Sequence, residues 1–319
     1  MTLLSFVLPC YGSEKTIEFV MNEIRSKVAE NSKYEYEIIA VNDCSPDKVW
    51  DVLLSIAKKD NHIKLINFSK NMNRPGAVMA GLAHTQGDIV IVMDDDGQCP
   101  MDRLWDLITP LSEGYDVSMA SYEDHKQSLF KDFGTYVNRR MTEIILDKPK
   151  GMQFTNFMAV KRFIVEEILR YPNPYPYMTG LILRSTQRIV NVPMEERERH
   201  GGQSNFTFKK MLNLWMNGLT AFSVKPLRLA TFMGVACAGI GFLYGLFIII
   251  RRLFSSSIAA GYSSILAAIL FIGGLIMLML GIIGEYVGRI YISINKSPQY
   301  VIKETVNMTP DRSKEVDDK

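Results

Sequence analysis

The sequence predicts an α/β fold with a doubly wound, mostly parallel sheet, followed by an amphipathic interfacial helix and two transmembrane helices. Three observations lead to this fold class. Short β-branched runs alternate with helical stretches over the first two thirds of the 319 residues, as in parallel α/β sheets. An amphipathic segment then occupies residues 206–222. Two apolar runs without a charge follow at 229–250 and 265–283.

The elements of the first part follow from hydrophobic periodicity and turn residues. Strands are expected at residues 3–8, 36–41, 63–68, 90–93, 116–120, 157–160 and 188–193. Helices are expected at residues 13–29, with Ser13 as N-cap, and at 45–59, 75–84, 100–112, 127–146 and 163–170. Residues 171–177 are expected to form a loop, and the polar residues 309–319 a disordered tail.

Composition and charge argue against several classes of partner. The formal net charge is +2, and no basic stripe with interleaved aromatic residues is present, so we expect no nucleic acid partner. The four cysteines have no metal-ligand spacing, and three of them fall in the first part of the chain. This favours a reduced, cytosolic setting. The sequence begins directly with a strand-like run, which predicts no secretory signal.

The strongest signal is an acidic cluster, Asp94-Asp95-Asp96, directly after a buried apolar strand. In extended backbone, Asp94 and Asp96 point to one side and Asp95 to the other. Two converging carboxylates without His or Cys suit a hard cation such as Mg²⁺ or Mn²⁺, and Gln98 adds an amide oxygen. The alternative is an acidic turn that caps the helix beginning at Pro100. We favour the metal site because three carboxylates repel one another without a cation.

Polar side chains follow three of the predicted strands at their carboxyl ends. They are Pro9 to Tyr11, Asn42 with Asp43, and the acidic cluster. In a doubly wound sheet these ends lie side by side, where such folds bind ligands. An aromatic ring for stacking, an acidic group for a base or ribose, and a metal for a diphosphate together predict a nucleotide-sugar site. Asp43 alone could instead cap a helix.

Two common nucleotide-binding motifs are missing from the sequence. It contains no G-x-x-x-x-G-K-[ST] loop and no G-x-G-x-x-G fingerprint. Both motifs place backbone amides around phosphates, so their absence argues against a P-loop NTPase and against a dinucleotide oxidoreductase.

The second part of the chain predicts attachment to a membrane. Residues 206–222 place Lys on one face and Trp, Phe and Leu on the other, which suits a bilayer interface, the alternative being a core-facing helix. Each apolar run is near the ~20 residues that span the hydrocarbon core. Basic residues flank the outer ends of the runs, whereas Arg251 and Arg252 lie between them. The positive-inside bias therefore predicts a multi-pass plasma-membrane protein with the first part and both termini cytoplasmic.

Six segments resemble one enzyme family and one of its subgroups. Residues 7–11 (VLPCY), 37–45 (EIIAVNDCS) and 94–100 (DDDGQCP) resemble the three motifs of family 2, GT-A fold, glycosyltransferases. The rest resembles the bacterial polyprenyl-phosphate sugar transferases related to dolichol-phosphate mannose synthase. Residues 199–206 (RHGGQSNF) resemble that subgroup's R-x-x-G-x-S segment, and residues 223–228 (SVKPLR) and 281–291 (GIIGEYVGRIY) resemble its membrane entry and exit.

The resemblance implies a role for each candidate site residue. The metal, Mg²⁺ or Mn²⁺, would be held by Asp94, Asp96 and Gln98. The nucleoside and donor pocket would be lined by Pro9, Tyr11, Glu14, Asn42, Asp43 and Asp95. Donor or acceptor phosphates would meet Arg199, Ser204, Lys209 and Lys210, since guanidinium and ammonium groups bind phosphate. The catalytic residues would be Asp94, Asp96 and Arg199, although a solvated charge run at 195–199 is the alternative for Arg199.

With this resemblance we expect four regions. They are a cytoplasmic GT-A catalytic domain (1–205), an amphipathic juxtamembrane helix and linker (206–226), a two-helix transmembrane hairpin (227–292) and a cytoplasmic tail (293–319). The spans would bring the catalytic crevice to the lipid headgroups.

The expected reaction is metal-dependent, inverting transfer of a sugar to polyprenyl (undecaprenyl) phosphate at the cytoplasmic membrane face, for cell-envelope glycan modification. We expect the nucleotide-sugar donor to be UDP-linked and the protein to be a homo-oligomer. Two alternatives stay open. A processive polysaccharide synthase would carry a Q-x-x-R-W motif, which is missing here, and more spans. A non-catalytic membrane scaffold would leave the carboxylate cluster unexplained.

Overall fold

The computed structural model describes residues 1–122, 143, 148–197, 225–254, 262–295 and 297–308. The described residues form two compact units. The first unit contains those up to 197 together with 297–308, and the second contains those from 225 to 295. The predicted helix at 127–146, apart from residue 143, the predicted amphipathic segment at 206–222 and the predicted tail at 309–319 lie outside the described residues.

The first unit is built on one sheet. Its strands are β1 (Thr2–Cys10), β2 (Tyr34–Asn42), β3 (Ile63–Phe68), β4 (Ile89–Val92), β5 (Val117–Tyr122), β6 (Met158–Lys161), β7 (Ile189–Met194) and β8 (Ile302–Val306). Their order across the sheet is β7-β5-β6-β4-β1-β2-β3-β8. Strands β4, β1, β2 and β3 pair in parallel, as do β5 and β7.

Helices connect the strands of the first unit. They are α1 (Ile17–Ala29), α2 (Val49–Ala57), α3 (Asn73–Ala83), α4 (Leu104–Ser112), α5 (Arg162–Leu169) and α6 (Met178–Ser185), and a short 3₁₀ turn (Met101–Arg103) precedes α4. On β2, Ile38 and Ala40 belong to the core that includes side chains of α1, α2 and α4. The alternate residues Ile39 and Val41 pack with side chains of α3 on the other face. The sheet is therefore covered on both faces, which explains why its central strands carry apolar side chains on both faces.

The prediction of strands and helices is confirmed for the parallel part of the sheet and corrected elsewhere. The sheet is mixed, because β6 pairs antiparallel with β4 and β5, and β8 pairs antiparallel with β3. Strand β8 and helix α6 were not predicted. The first helix begins at Ile17, not at Ser13, because residues 14–16 form a turn in which the Ser13 carbonyl accepts hydrogen bonds from the backbone N–H groups of Thr16 and Ile17.

The second unit consists of two long helices, α7 (Lys225–Phe254) and α8 (Tyr262–Ile294). Many of their large apolar side chains are exposed, for example Phe232, Ile240 and Met277, and such surfaces mark membrane or protein interaction sites. Within α8, Phe271–Ile294 is long and apolar enough to cross a membrane. It has 24 residues and a mean hydropathy of 1.9, and none of its apolar window is buried. It is the one such segment among the described residues, so the first predicted span (229–250), in α7, stays a prediction.

Candidate active site

Three junctions between a strand and the following helix meet at one edge of the sheet. They follow β1, β2 and β4, which are neighbours and run in parallel. The backbone N–H of Asp43 donates to the Cys10 carbonyl at 3.1 Å. The N–H of Tyr11 donates to the Asp95 carboxylate at 3.2 Å, and the N–H of Gly12 donates to the Ser45 hydroxyl at 2.8 Å. Residues that are far apart in the sequence thus form one polar surface, as expected for ligand sites in such sheets.

A pocket of about 210 Å³ lies beside the acidic cluster. Its polar walls include Asp94, Asp96, Gln98, Tyr122, Asn156 and Glu196. Asp94 and Asp96 therefore face the same pocket, as the alternation along an extended backbone predicts.

Both carboxylate oxygens of Asp94 accept hydrogen bonds from side chains that the sequence analysis did not select. The Arg74 Nε donates to Oδ1 at 2.7 Å, and the Asn156 Nδ2 donates to Oδ2 at 2.7 Å. Arg74 lies in the first turn of α3, directly after the junction between β3 and α3. This position after a strand was the only feature of the sequence that could have indicated Arg74 as a site residue. These two contacts fix the orientation of the Asp94 carboxylate, and each of its oxygens keeps a further lone pair.

Asp95 is turned away from this pocket and lies under the first junction, where it holds the Tyr11 backbone. Burial, together with a smaller contribution from the neighbouring charge of Asp94, raises the pKa of Asp95 to about 7. Its carboxylate contacts the backbone of the first junction and does not line the pocket.

The neighbouring chain segment, residues 195–197, is fixed to Gln98. The Arg197 backbone N–H donates to the Gln98 carbonyl at 3.2 Å, and the Gln98 Nε2 donates to the Arg197 carbonyl at 3.4 Å. The Arg197 guanidinium pairs with Glu23 of α1 at 2.7 Å and with Asp102. The charged residues at 195–199 could have been a solvated run, but the Arg197 side chain is bonded to two carboxylates of the protein. The Gln98 backbone N–H also donates to Asp96 at 3.1 Å.

The chemistry of the pocket fits a hard divalent cation. Asp94 and Asp96 offer carboxylate oxygens as ligands, and Gln98 offers an amide oxygen. Burial, followed by the negative charge of Asp94, raises the pKa of the Cys99 thiol beside the pocket. In the described part of the chain, no group of three or more His, Cys, Asp or Glu side chains is placed to hold a metal. A cation here would therefore depend on the two carboxylates with the Gln98 amide and on ligands brought by a substrate.

Asp43 lies at the end of β2 and is 3% exposed. Its Oδ1 accepts a 2.6 Å hydrogen bond from the Met72 backbone N–H, and the Asn71 Nδ2 donates to its carbonyl at 3.1 Å. Burial raises the pKa of the Asp43 carboxyl to about 6, although the hydrogen bond from Met72 opposes the shift. The carboxylate is therefore held in place by the loop before α3. Met72 is the N-cap residue of α3, so the Asp43 carboxylate binds the N-terminus of that helix, in agreement with the alternative interpretation that it caps a helix.

The other candidate residues have different environments. Tyr11 is 52% exposed and is available for stacking, whereas Pro9 is buried in β1. Glu14 accepts a hydrogen bond from the Lys48 backbone N–H at 3.2 Å, which links the first two junctions. Asn42 is buried, and both ends of its amide bind protein atoms. This differs from the expected direct contact with a ligand and indicates a supporting role.

Four residues are predicted to bind phosphate groups of the donor or acceptor. Arg199, Ser204, Lys209 and Lys210 lie outside the described residues, so their roles stay predictions.

Comparison with known proteins identifies the family of the chain. The family described as Glycosyl transferase family 2 matches residues 5–169. The chain belongs to this family. A second family, described as GtrB C-terminal hairpin, matches residues 225–290. The resemblance inferred from the motifs is thus confirmed, and the protein is a glycosyltransferase.

Several relatives are similar over nearly the whole chain. Uncharacterized glycosyltransferase YkcC of Bacillus subtilis (strain 168) is 32% identical over 302 residues, which cover 94% of this chain and 93% of the relative. Bactoprenol glucosyl transferase of Shigella phage SfV is 33% identical over 306 residues, which cover 94% of this chain and 98% of the relative.

A solved structure of glucosyl-3-phosphoglycerate synthase from Mycobacterium tuberculosis, in complex with Mn²⁺ and uridine-diphosphate-glucose, is also similar. Its TM-score is 0.50 at 20% identity, and the match covers 69% of this chain and 77% of that one. This likeness shows that the first unit of the family 2 enzyme has the GT-A-like mixed α/β fold.

Proposed function

We propose that this enzyme transfers one sugar from a UDP-linked nucleotide-sugar to polyprenyl phosphate. The observation that carries the proposal is that Asp94, Asp96 and Gln98 line one pocket beside the junctions that carry Tyr11 and Asp43. The bond between the anomeric carbon and the diphosphate breaks, and a phosphate oxygen of the lipid forms the new bond to that carbon. The nucleoside diphosphate leaves, and the configuration of the sugar is inverted.

The donor would be bound in two parts. The exposed ring of Tyr11 offers a stacking surface. The Asp43 carboxylate is buried and bonded to the Met72 N–H, so its other oxygen would be the acceptor for a base or ribose donor. The pocket of about 210 Å³ is smaller than the roughly 300–1,000 Å³ of complete ligand sites. It suits the sugar or diphosphate portion of the donor, with the nucleoside over the neighbouring junctions.

The acidic pocket would hold Mg²⁺ or Mn²⁺ through Asp94, Asp96 and Gln98. When bound, such a cation neutralises the negative charge that develops on the leaving diphosphate. Arg74 and Asn156 orient Asp94 for this role through their hydrogen bonds. The solved synthase named with Mn²⁺ and uridine-diphosphate-glucose has the same type of fold, which supports the choice of metal and donor class.

Two findings support a lipid acceptor. A relative that covers 94% of this chain is named as a bactoprenol glucosyl transferase, and the GtrB C-terminal hairpin family matches residues 225–290. We propose that α7 and α8 both span the plasma membrane, with both termini and the first unit cytoplasmic. A cysteine introduced at Ser256 should then react with an impermeant thiol reagent from outside intact cells, and one at Ser313 should not. The reverse labelling pattern would contradict this topology.

The proposed reaction can be tested by a screen of radiolabelled nucleotide-sugars with membranes that contain the full-length protein and added polyprenyl phosphate. We expect label from one nucleotide-sugar to enter the organic phase, and Asp96→Asn membranes to give none. Label in an aqueous polymer would favour a processive synthase instead. Failure of every nucleotide-sugar to label a lipid would contradict the proposal.

A further inference from the structure

The chain segment that follows the last long helix returns to the sheet of the first unit. Strand β8 pairs with β3, and the Tyr300 ring stacks on Phe68 with ring centres 5.8 Å apart. The Ser69 backbone N–H donates to the Val301 carbonyl at 3.0 Å. These contacts bring residues 297–308, which we call the return segment, next to the end of β3.

A line of side-chain hydrogen bonds leads from the return segment into the second junction. The Asn67 Nδ2 donates to the Glu304 carboxylate at 2.7 Å. The Asn42 Nδ2 donates to the Asn67 Oδ1 at 2.8 Å. The Ser45 backbone N–H then donates to the Asn42 Oδ1 at 3.2 Å. The two amides are buried, so an unmade bond at either one would be costly.

The Glu304 carboxylate and the Ser45 N–H, at the two ends of this line, impose the same direction on its bonds. An ionised carboxylate only accepts hydrogen bonds, so Asn67 must turn its NH₂ group toward Glu304 and its oxygen toward Asn42. Asn42 must then turn its NH₂ group toward Asn67, which leaves its oxygen for the Ser45 N–H. The reversed orientation would place the Asn42 NH₂ group against that N–H, two donors facing each other.

The turn after Asn42, which contains Ser45 and Asp47, also contacts the first junction. The Ser45 hydroxyl accepts from the Gly12 N–H at 2.8 Å and donates to the Asp47 carboxylate at 2.6 Å. Asp47 also accepts from the Glu14 N–H at 2.9 Å. The line that begins at Glu304 therefore ends at the backbone N–H groups of Gly12 and Ser45, which follow the two candidate donor-binding residues, Tyr11 and Asp43.

We propose that Glu304 and Asn67 are positioning residues for the donor nucleoside, through the orientation that they impose on Asn42 and the turn after it. This inference rests on the proposed function for the assignment of that pocket to the donor. The return segment is then part of the donor site, although it lies far from the site in the sequence.

The test compares Glu304→Ala with Glu304→Gln and Asn307→Ala in the full-length protein. Gln keeps an acceptor oxygen for Asn67, whereas Ala removes it. Asn307 holds the same return segment through bonds to the Ala57 and Ile63 carbonyls, at 2.9 and 3.0 Å, so its removal is a matched structural control. The measurements are the KM values for donor and acceptor, kcat, Tm, and amide hydrogen exchange in residues 42–48.

Glu304→Ala should raise the donor KM about five-fold, equivalent to about 1 kcal/mol, with kcat and the acceptor KM unchanged. Glu304→Gln should stay within about two-fold of the wild type, as expected for a retained hydrogen bond. Asn307→Ala should lower Tm without a change in donor KM. Amide exchange in residues 42–48 should increase in Glu304→Ala alone.

Equal increases in donor KM for Glu304→Ala and Asn307→Ala, in proportion to their loss of Tm, would show a merely structural role and overturn the inference. If the wild type used no nucleotide-sugar, the proposed function would fail, and amide exchange would decide the inference separately. Faster exchange at residues 42–48 in Glu304→Ala but not in Asn307→Ala would support it, and equal exchange in both would overturn it.

Discussion

Replacement of Asp43 by Asn should stabilise the enzyme at neutral pH while impairing donor binding. The pKa of the buried carboxyl is raised from 3.8 to about 6, so the folded state holds this proton more tightly than the unfolded state. As the pH rises from about 4 to above 6, the folded protein loses stability relative to a chain without this carboxyl. At about 1.36 kcal/mol per pH unit, the full cost is about 3 kcal/mol.

The asparagine side chain introduced by this substitution would not ionise and would still offer an oxygen to the Met72 N–H. We therefore expect Asp43→Asn to raise the Tm of the full-length protein in detergent at pH 7.5, by an amount that shrinks toward zero near pH 4. The donor KM should rise at the same time, since the charged acceptor is lost. The stability difference is measured by thermal unfolding across this pH range.

Asp47 on the same junction provides a control of opposite sign. Burial raises its pKa, but hydrogen bonds from the Ser45 hydroxyl and from the backbone N–H groups of Glu14 and Val49 outweigh burial and lower it. Its ionised form therefore stabilises the fold above the ordinary pKa, and this contribution disappears as the pH falls. Asp47→Asn should lower Tm at pH 7.5 and matter less in acid. If Asp43→Asn lowered Tm equally at every pH, the reasoning from burial would be refuted.

Three further predictions follow from the site. Asp94→Asn and Asp96→Asn should abolish sugar transfer. Asp95→Asn should lower it less, because the asparagine keeps an acceptor for the Tyr11 N–H. Equal losses of activity for all three variants in the radiolabel assay would contradict the assignment of the metal ligands. Cys44 has a φ of 52°, a left-handed conformation that favours glycine. Cys44→Gly should therefore raise the free energy of unfolding by roughly 0.5–1 kcal/mol. A lower Tm for this variant would contradict the presence of backbone strain at Cys44. The phosphate acceptor, with a second pKa of ~6, needs no protein base, so the transfer rate should rise with pH and then level off. A bell-shaped profile that Glu196→Gln flattens would instead identify the pocket carboxylate as that base.

The sequence was sufficient to predict the parallel part of the sheet and the meeting of its three junctions. The strands β1, β2 and β4 each finish with an apolar run, at residues 6–9, 38–41 and 89–93, before the polar residues of the junction, and parallel pairing brings such ends together. The separation of Asp95 from Asp94 and Asp96 was also predicted, although the chain bends at residues 95–97 and does not stay extended there.

Other features depend on contacts that no local pattern encodes. Strand β8 has the sequence IKETV and only partly buried ends, and it pairs with a strand more than 230 residues earlier, as the Asn67–Glu304 bond shows. Arg74 lies in a first helical turn, where a charged residue is ordinary, and only the folded chain brings it to Asp94. Asn42 could be placed at the junction from sequence, but its buried partners could not.

The central claim, transfer of a sugar and not of a sugar phosphate, is tested most directly by the products of one reaction. The full-length enzyme is incubated with the nucleotide-sugar that gives labelled lipid and with polyprenyl phosphate, and both products are identified by mass. The account predicts nucleoside diphosphate and a lipid that carries one sugar and one phosphate, in equal amounts, and neither product with Asp96→Asn. Nucleoside monophosphate with a lipid diphosphate sugar, or a lipid that carries a sugar polymer, would contradict it.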